Sequence, residues 1–260
     1  FNGGSQTATN KRLTVEMTAN PQWHVIQALP VLGTPSSDDA MSWAAALYAN
    51  SLSLHIVKSN PKIKQVFDTW MLQGNSDKDF WSELSKNEEL KSIIIEETPW
   101  LAEAENDVAR KQRIALLFDV NGMNDRLSTA VTNLAQLQLE DGSWPWFKGM
   151  SSSSYITLQI VQSLARLKSL GITFDSRMNN VYLEAIGYLA KEAAEWHSRM
   201  INDKNTYVPQ DMIMHYLYIC AIDKDAARLA DAKVNSYFTD YFMGKSASLD
   251  IQEKSVMATV

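Results

Sequence analysis

Residues 138–147 read Gln-Leu-Glu-Asp-Gly-Ser-Trp-Pro-Trp-Phe, a stretch that interrupts a largely helical pattern. Glycine tolerates positive φ, and proline fixes φ and lacks an N–H, so both residues favour a turn or loop here. The aromatic side chains form either a binding platform or part of the packing, and packing is the favoured interpretation. The motif residues are Gln138, Gly142, Trp144, Pro145, Trp146 and Phe147.

Both flanks of this stretch are predicted to be helical. Apolar residues recur there at helical spacing, and capping residues or prolines precede many of the runs. Three helix starts are predicted at Asn20-Pro21, Asn60-Pro61 and Thr98-Pro99. Other helices are predicted from Asp38-Asp39 to about Ser59, Asn106 to Asn121 with Gly122 as the stop, Tyr155 to Leu170, Asp175 or Ser176 to about Trp196, Pro209 to Ile222, Asp225 to Phe242, and Leu249 onward.

The helix predicted from Tyr155 to Leu170 is apolar over most of its circumference. This pattern is typical of a helix that is packed on several sides. Its polar stripe consists of Gln159, Gln162, Arg166 and Ser169.

The predicted fold class is all-α. Residues 13–17 alternate apolar and polar side chains, which is typical of one short strand. No segment shows the alternation of strands and helices that is typical of an α/β sheet. About ten helical segments with short connections indicate a closed ring of helical hairpins or a stacked solenoid. Residues 1–12 are a predicted linker or tail, and residues 13–260 are a predicted helical domain.

Composition and charge exclude two classes of partner. The chain has 260 residues, of which 45% are apolar, and its net charge is −6. Because the basic residues are scattered, no nucleic-acid partner is predicted. No apolar stretch approaches the roughly 20 residues that span a bilayer, so no direct membrane insertion is predicted.

No catalytic group, cofactor or metal site is predicted. The single cysteine, Cys220, lies in an apolar run and is interpreted as a small buried residue. The histidines lack the spacing of metal ligands. They are His24, His55, His197 and His215.

The spacing Gln138-x3-Gly142-x-Trp144 recurs in toroids of helical hairpins such as terpene cyclases. Its wider context resembles the thioester domain of bacterial alpha-2-macroglobulins, over about residues 13–218. The resemblance implies an α/α toroid. It is carried by Leu13-x-Val15, Asn20 to Pro30, Glu97 to Trp100, Leu116 to Met123, Leu137 to Met150 and Ser154 to Leu167.

The chain departs from this family at the thioester itself. Active members carry Cys-x-Glu-Gln at the start of the second helix, shortly before a Tyr-Ala-Asn-like segment, which Tyr48-Ala49-Asn50 matches here. The equivalent positions are Asp39 and Ser42 when counted back without gaps, or Asp38 and Met41 when aligned on Pro35. A thioester forms when a cysteine sulfur displaces ammonia from a glutamine. Neither alignment supplies a thiol or a carboxamide, so no thioester is expected.

The resemblance implies a non-enzymatic interaction domain of a protease-trapping, endopeptidase-inhibitor protein. Its expected partners are proteases, other proteins and other domains of the same polypeptide. The family also implies export to the periplasm or cell envelope, with a lipoprotein anchor in other regions. The family's domain is expected to continue past Val260, so the chain is interpreted as a fragment of a larger multidomain protein.

The alternative is an enzyme built on a similar ring of hairpins. A terpene cyclase of this type needs an Asp-x-Asp-Asp motif, which the sequence lacks. A glycosidase needs two carboxylates that flank a cleft. Asp38 and Asp39 would point about 100° apart on a helix, so helix capping is favoured over a catalytic acid pair. A buried acidic cleft would favour the enzyme, and a filled centre would favour the interaction domain.

Overall fold

A computed structural model describes residues 29, 32–59, 120–202 and 207–260. The chain divides into two compact units, Phe1–Ala28 with Lys62–Phe118, and Leu29–Pro61 with Asp119–Val260. Every described residue belongs to the second unit. The predicted strand at residues 13–17, the three predicted Asn-Pro or Thr-Pro helix starts and most of the predicted helix at 106–121 lie outside the described residues.

The described residues are mostly helical, which confirms the all-α class. The helices are α1 (Ala40–Ser59), α2 (Val120–Leu137), α3 (Ser154–Ser169), α4 (Ser176–Asn202), α5 (Gln210–Ile222), α6 (Lys224–Leu229), α7 (Ala232–Gly244) and α8 (Ile251–Met257). Two short strands, β1 (Trp144–Pro145) and β2 (Ser152–Ser153), form an antiparallel pair that was not predicted. Trp144 pairs with Ser153, and Pro145 pairs with Ser152.

Helices α1 and α2 pack against each other through small and branched apolar side chains. Ala40, Ala44 and Leu47 of α1 are buried at helical spacing, and Ala130 and Leu134 of α2 are fully buried. The distance between packed helices depends on the side chains at the contact, so the alanines of α1 permit a close approach.

The predicted helix stop at Gly122 is wrong. Gly122 lies inside α2, which runs on to Leu137. A glycine destabilises a helix by only about 0.5–1 kcal/mol relative to alanine. The burial of Met123, Ala130 and Leu134 on α2 outweighs this cost, because burying one large apolar side chain contributes about 1.5–3 kcal/mol.

Helix α3 contacts α1, α4 and α5 and is buried on several sides, as its apolar circumference predicts. The Ser153 side chain caps its start. At its end Gly171 adopts a φ of 82°. The N–H groups of Gly171 and Ile172 donate to the carbonyls of Lys168 and Leu167, which is the Schellman arrangement that glycine favours.

The polar stripe of α3 is not uniformly exposed. Arg166 and Ser169 are exposed and Gln159 is half-buried, but Gln162 is only 5% exposed. Among the described residues, no hydrogen-bond partner reaches Gln162 Oε1. Packing therefore covers part of the polar side of α3 as well as its apolar sides.

Helix α4 begins where predicted and ends later. Asp175 Oδ1 accepts the N–H of Met178 at 2.7 Å and so caps the first turn. The helix continues past Trp196, its predicted end, to Asn202. The buried stripe of α4 extends through Trp196 to Met200, which keeps the last turns packed.

The single helix predicted from Asp225 to Phe242 is two helices, α6 and α7. The backbone is extended at Ala230 and at Asp231, which separate them. The Asp231 side chain accepts two backbone N–H groups at the start of α7. Because aspartate is a preferred cap, Asp231 was the available signal for this break.

The helices at the end of the chain begin close to their predicted starts. Helix α5 has Pro209 as its N-cap. Asp250 and Glu253 form a capping box at the start of α8, in which each side chain accepts the other's backbone N–H. Helix α8 ends at Met257, whereas the sequence pattern favoured continuation to Val260.

Candidate functional site

The start of α1 is closed by its own side chains. Asp39 Oδ1 accepts the N–H of Ser42 at 2.9 Å, and Asp39 Oδ2 accepts the Ser42 hydroxyl at 2.9 Å. The Ser37 hydroxyl also donates to Asp39 Oδ2 and lies 2.9 Å from Ser42 Oγ. Asp39 is therefore the cap of α1, in agreement with the capping interpretation of this acid pair.

These contacts hold Asp39 in its charged form. Burial by itself raises the pKa of Asp39, but hydrogen bonds from Ser37 and Ser42 outweigh burial, and the pKa lies below the ordinary aspartate value. A carboxylate that already accepts several hydrogen bonds is a poor base at neutral pH. Its chemistry at the start of α1 is that of a helix cap.

The other thioester-equivalent positions lie in the same first turn. Asp38 is exposed, and its Oδ1 accepts the indole N–H of Trp43 at 2.8 Å. Met41 is exposed and Ser42 is half-buried. No hydrogen bond or ion pair between described residues joins this turn to the 138–147 loop, so the two predicted sites are not brought together by such a contact.

The Tyr-Ala-Asn segment that anchored the alignment has a structural role in α1. Asn50 is buried, and its Nδ2 donates to the carbonyls of Gly33 and Ala46, both at 2.8 Å. Its Oδ1 accepts from Arg126 Nε of α2 at 3.1 Å. Asn50 therefore ties α1 to the preceding loop and to α2.

Trp144 anchors the 138–147 loop in the interior. Its side chain is 0% exposed, and its indole N–H donates to the Leu134 carbonyl in the last turn of α2 at 2.8 Å. The backbone N–H of Trp144 donates to Thr157 Oγ1 of α3 at 2.9 Å. The burial of Trp144 agrees with packing, the interpretation that the sequence favoured for the aromatic side chains of this loop.

Gly142 and Gln138 fasten the loop to α4. Gly142 has a φ of 88°, and a Cβ at this position would lie 2.4 Å from the Glu184 carbonyl oxygen, which no side chain tolerates. Gln138 Nε2 donates to the carbonyls of Gly142 and Val181, both at 2.9 Å. Because Val181 lies inside α4, Gln138 bridges the loop to the body of a helix.

The aromatic residues of the motif divide into a buried and an exposed set. Trp144 and Pro145 are buried, whereas Trp146 and Phe147 are about half exposed. Trp146 stacks on Tyr155 with 5.8 Å between ring centroids and 13° between ring planes. We call the exposed set, which is Trp146, Phe147, Met150 and Tyr155, the aromatic face.

Glu192 of α4 is a carboxylate with a raised pKa that the sequence did not single out. Burial raises the pKa of Glu192 above its ordinary value, and the charges of Glu195 and Asp141 raise it further, while Arg199 opposes this effect. Glu192 is half-buried, and the Ser154 side chain lowers its pKa in part by favouring the charged form. The sequence signal for this group was the spacing of Glu192, Glu195 and Arg199, which places the three charged side chains on one side of α4.

A second group that the sequence did not single out is a buried polar cluster that joins α3, α4 and α6. Asp223 is buried, and its Oδ2 accepts the Tyr182 hydroxyl at 2.9 Å and the Ala226 N–H at 3.0 Å. Lys168 Nζ lies 3.2 Å from Asp223 Oδ1 and also pairs with Asp225. Burial and the Asp223 charge hold the pKa of Tyr182 far above its ordinary value, so the hydroxyl remains a donor.

Cys220 is buried in α5, as predicted, and is a free thiol. Burial raises its thiol pKa, so the neutral and unreactive form predominates. Because the thioester-equivalent positions begin α1, Cys220 occupies a different helix from the site where the family's cysteine is expected.

The described histidines lie in different surroundings and are not grouped with one another. His197 packs edge-on against Tyr237 at 4.7 Å between ring centroids, and His215 Nε2 lies 3.4 Å from Asp211 Oδ1. His55 lines a cavity beside α1, and His24 lies outside the described residues. Within the described ranges, no three histidine, cysteine, aspartate or glutamate side chains are grouped to hold a metal ion.

Two cavities lie between the described helices. The first, of about 490 Å³, lies between α1, α2 and the start of α4, and Asp175 is its carboxylate. The second, of about 630 Å³, lies between α4, α5 and α7, and Asp211 is its carboxylate. Among the described lining residues each cavity thus has a single carboxylate, whereas glycoside hydrolysis uses two.

Comparisons with known proteins do not identify a family for the chain. No family model matches the chain, and no curated protein or solved structure shows significant similarity to it. In the part of the chain that the structure describes, no helix combines the length and apolar character needed to cross a membrane.

Proposed function

We propose that the chain is a non-enzymatic interaction domain of an alpha-2-macroglobulin-like protease-trapping protein, and that it acts without a covalent thioester. The observation that carries the proposal is the cap at the start of α1. At the positions that resemble the thioester site, Asp39 accepts the Ser42 N–H and the hydroxyls of Ser37 and Ser42. Neither alignment of this turn with the family motif offers a sulfur nucleophile or a carboxamide.

The 138–147 loop supports the proposed family and an α/α toroid arrangement of the helices. Its residues resemble the family motif, and Gln138, Gly142 and Trp144 make contacts that bind the loop to α2, α3 and α4. A toroid needs successive hairpins to be held side by side, and these contacts supply such connections.

Without covalent capture, the proposed domain acts through steric trapping or protein contacts. In the proposed family, cleavage of a bait segment drives a conformational change that traps the protease. The partners proposed here are accordingly proteases, other proteins and other domains of the same polypeptide, in the periplasm or cell envelope. The exposed aromatic face offers apolar surface for such contacts.

The test compares the interaction domain with an enzyme on the same fold. We expect no turnover when the chain is incubated with a panel of polysaccharides and polyprenyl diphosphates. Each described cavity carries a single carboxylate, whereas glycoside hydrolysis uses two, and the sequence lacks the Asp-x-Asp-Asp motif of the cyclases. Products are measured by chromatography and mass spectrometry. The matched variants are Asp175→Asn and Asp211→Asn, which remove the carboxylate of each cavity while keeping its shape. Turnover that either substitution abolishes would overturn the proposed function.

A further inference from the structure

We infer that the cavity between α1, α2 and the start of α4 binds a single-chain anionic amphiphile, meaning an apolar acyl chain that ends in a carboxylate. We call it the α1–α2 cavity, and its lining includes Ser51, Lys58, Val131 and Arg177. This inference goes beyond the proposed function. It uses neither the thioester-equivalent residues nor the 138–147 loop, so the two proposals can fail independently of each other.

The α1–α2 cavity has the size and the apolar walls of a small-molecule site. Its volume of about 490 Å³ lies within the range of about 300–1,000 Å³ that is usual for ligand pockets. Its walls include buried apolar side chains of α1, α2 and α4, namely Leu47, Leu54, Val131 and Met178. An acyl chain placed in this cavity would leave water for contact with these side chains, which is favourable.

The side of α1 that lines the cavity changes from apolar to charged along the helix. Its lining residues are, in order, Leu47, Ser51, His55 and Lys58. Their spacing of three or four residues places them on one side of a helix. Leu47 and Lys58 are separated by about 16 Å along the helix axis. This side of α1 therefore offers apolar contacts at one end and polar and charged groups at the other, which is the polarity of an amphiphile.

Ser51 is a buried hydroxyl with unused hydrogen-bonding capacity in this cavity. It is 6% exposed and lines the cavity, and its hydroxyl has no hydrogen-bond partner among the described residues. Ser53, one of its neighbours, donates to the Ala49 carbonyl at 2.7 Å. Buried polar side chains are ordinarily hydrogen-bonded. A ligand carboxylate provides the acceptor that the Ser51 hydroxyl lacks.

The charged residues that line the cavity leave an excess of positive charge. They are Lys58, Asp175 and Arg177. Asp175 Oδ1 already accepts the Met178 N–H at 2.7 Å as the cap of α4. Arg177 Nη1 donates to Thr132 Oγ1 at 3.2 Å, and within the described residues neither Arg177 nor Lys58 forms an ion pair. Two unpaired cations beside one engaged carboxylate favour an anionic ligand.

Apolar walls and cationic side chains together select the class of ligand. A neutral apolar molecule would leave Lys58 and Arg177 without a partner. A small inorganic anion would leave the apolar walls in contact with water. The lining carries an excess of one positive charge, which a single carboxylate balances and a polyanion exceeds. Guanidinium and ammonium groups both form strong, charge-assisted hydrogen bonds to a carboxylate.

The experiment measures binding of decanoate to the chain by isothermal titration calorimetry, below the concentration at which decanoate forms micelles. Decanol is the matched neutral ligand, because it keeps the chain and removes the charge. We expect decanoate to bind at least about tenfold more tightly than decanol, as one charged hydrogen bond contributes. Octanoate, which is two CH₂ groups shorter, should bind about tenfold more weakly than decanoate. The affinity for decanoate should also fall as salt is raised, because Lys58 and Arg177 are exposed.

Variants assign the binding to this cavity. We expect the double substitution Lys58→Gln with Arg177→Gln to weaken decanoate binding at least about tenfold. Ser51→Leu places an apolar side chain in the cavity and should abolish binding. Lys191→Gln is the control, because Lys191 is exposed and lies about four turns beyond the start of α4. Its affinity for decanoate should match that of the unchanged chain, and thermal melts should show each variant folded.

Three results would overturn the inference. They are no measurable binding of decanoate, decanol binding that is as tight as decanoate binding, and unchanged decanoate affinity in the Lys58→Gln/Arg177→Gln variant. The last variant carries two exposed substitutions, so it keeps the test decisive even where Ser51→Leu does not fold. Each of these results would leave the proposed function standing. Enzymatic turnover in the substrate panel would remove the proposed function without changing the affinity for decanoate.

Discussion

Replacing Trp144 with alanine is expected to lower the free energy of unfolding by about 3–5 kcal/mol. The Trp144 ring is completely buried, and its indole N–H satisfies the Leu134 carbonyl in the last turn of α2. The substitution removes apolar burial, leaves a cavity and deprives that carbonyl of its partner. Urea denaturation of the two proteins measures the difference.

The control for Trp144→Ala is the same substitution at Trp146, two residues further on. Trp146 is about half exposed, so Trp146→Ala is expected to have a much smaller effect on the unfolding free energy. Trp144→Phe retains most of the apolar volume and loses the indole donor, and we expect a loss between those of the two alanine variants. An unchanged denaturation midpoint for Trp144→Ala would contradict the role of this residue as the anchor of the loop.

Replacing Asp223 with alanine is expected to destabilise the chain by a similar amount, about 3–5 kcal/mol. Asp223 accepts the Tyr182 hydroxyl and the Ala226 N–H and pairs with Lys168. Its removal leaves a buried hydroxyl and a largely buried ammonium group without that partner, and α6 loses its cap. Thermal melting and urea denaturation both report the loss.

The matched control is Asp225→Ala, because Asp225 pairs with the same lysine and is more exposed than Asp223. We expect a clearly smaller loss of stability for Asp225→Ala. The pair Lys168→Met with Asp223→Leu removes both buried charges, and it should recover part of the stability that Asp223→Ala loses. Equal losses for the two alanine variants would contradict a central role for Asp223.

The sequence predicts α3 well because the signals for this helix are local. A serine before the helix, an apolar circumference and Gly171 after it are all consequences of neighbouring residues in the chain. The same reasoning was wrong at Gly122, where packing of α2 overrides the weak preference of glycine for a helix end. It also missed the break at Asp231, where an apolar pattern continues across two separate helices.

The candidate sites also differ in how far neighbouring residues in the chain determine them. The burial of Trp144 and the tight turn at Gly142 could be predicted from one motif. The cluster of Lys168, Tyr182 and Asp223 could not, because its members come from α3, from α4 and from the junction of α5 and α6, and meet only in the folded chain. The β1–β2 pair is also too short to show an alternating sequence pattern.

The motif at residues 138–147 predicts a loop with aromatic side chains, but it does not predict which of them are exposed. The motif contains tryptophans at positions 144 and 146, and nothing in their spacing tells which one is buried. Contacts between distant parts of the chain decide this, since Trp144 is buried and donates to the Leu134 carbonyl of α2, whereas Trp146 follows the end of β1 and is half exposed. The loop is therefore divided, because Trp144 is part of the packing that the sequence favoured, whereas Trp146 and Phe147 are exposed.

The start of α1 carries the central claim, which is that this chain forms no thioester. The Asp39 carboxylate completes the first turn of α1, and Asp38, Met41 and Ser42 supply no group that reacts to form an acyl–sulfur bond. Cys220 is buried in α5, and the raised pKa of its thiol keeps it in the neutral form.

The most direct test is the intact mass of the native chain, measured before and after incubation with methylamine. The intact mass is expected to equal the sequence mass, because a thioester would lower it by one ammonia. Methylamine should add nothing, and Cys220 should titrate as one thiol after unfolding with or without the amine. Peptide mapping locates any modification. An amine-dependent mass gain at any residue from Asp38 to Ser42 would contradict the claim that the chain acts without covalent capture.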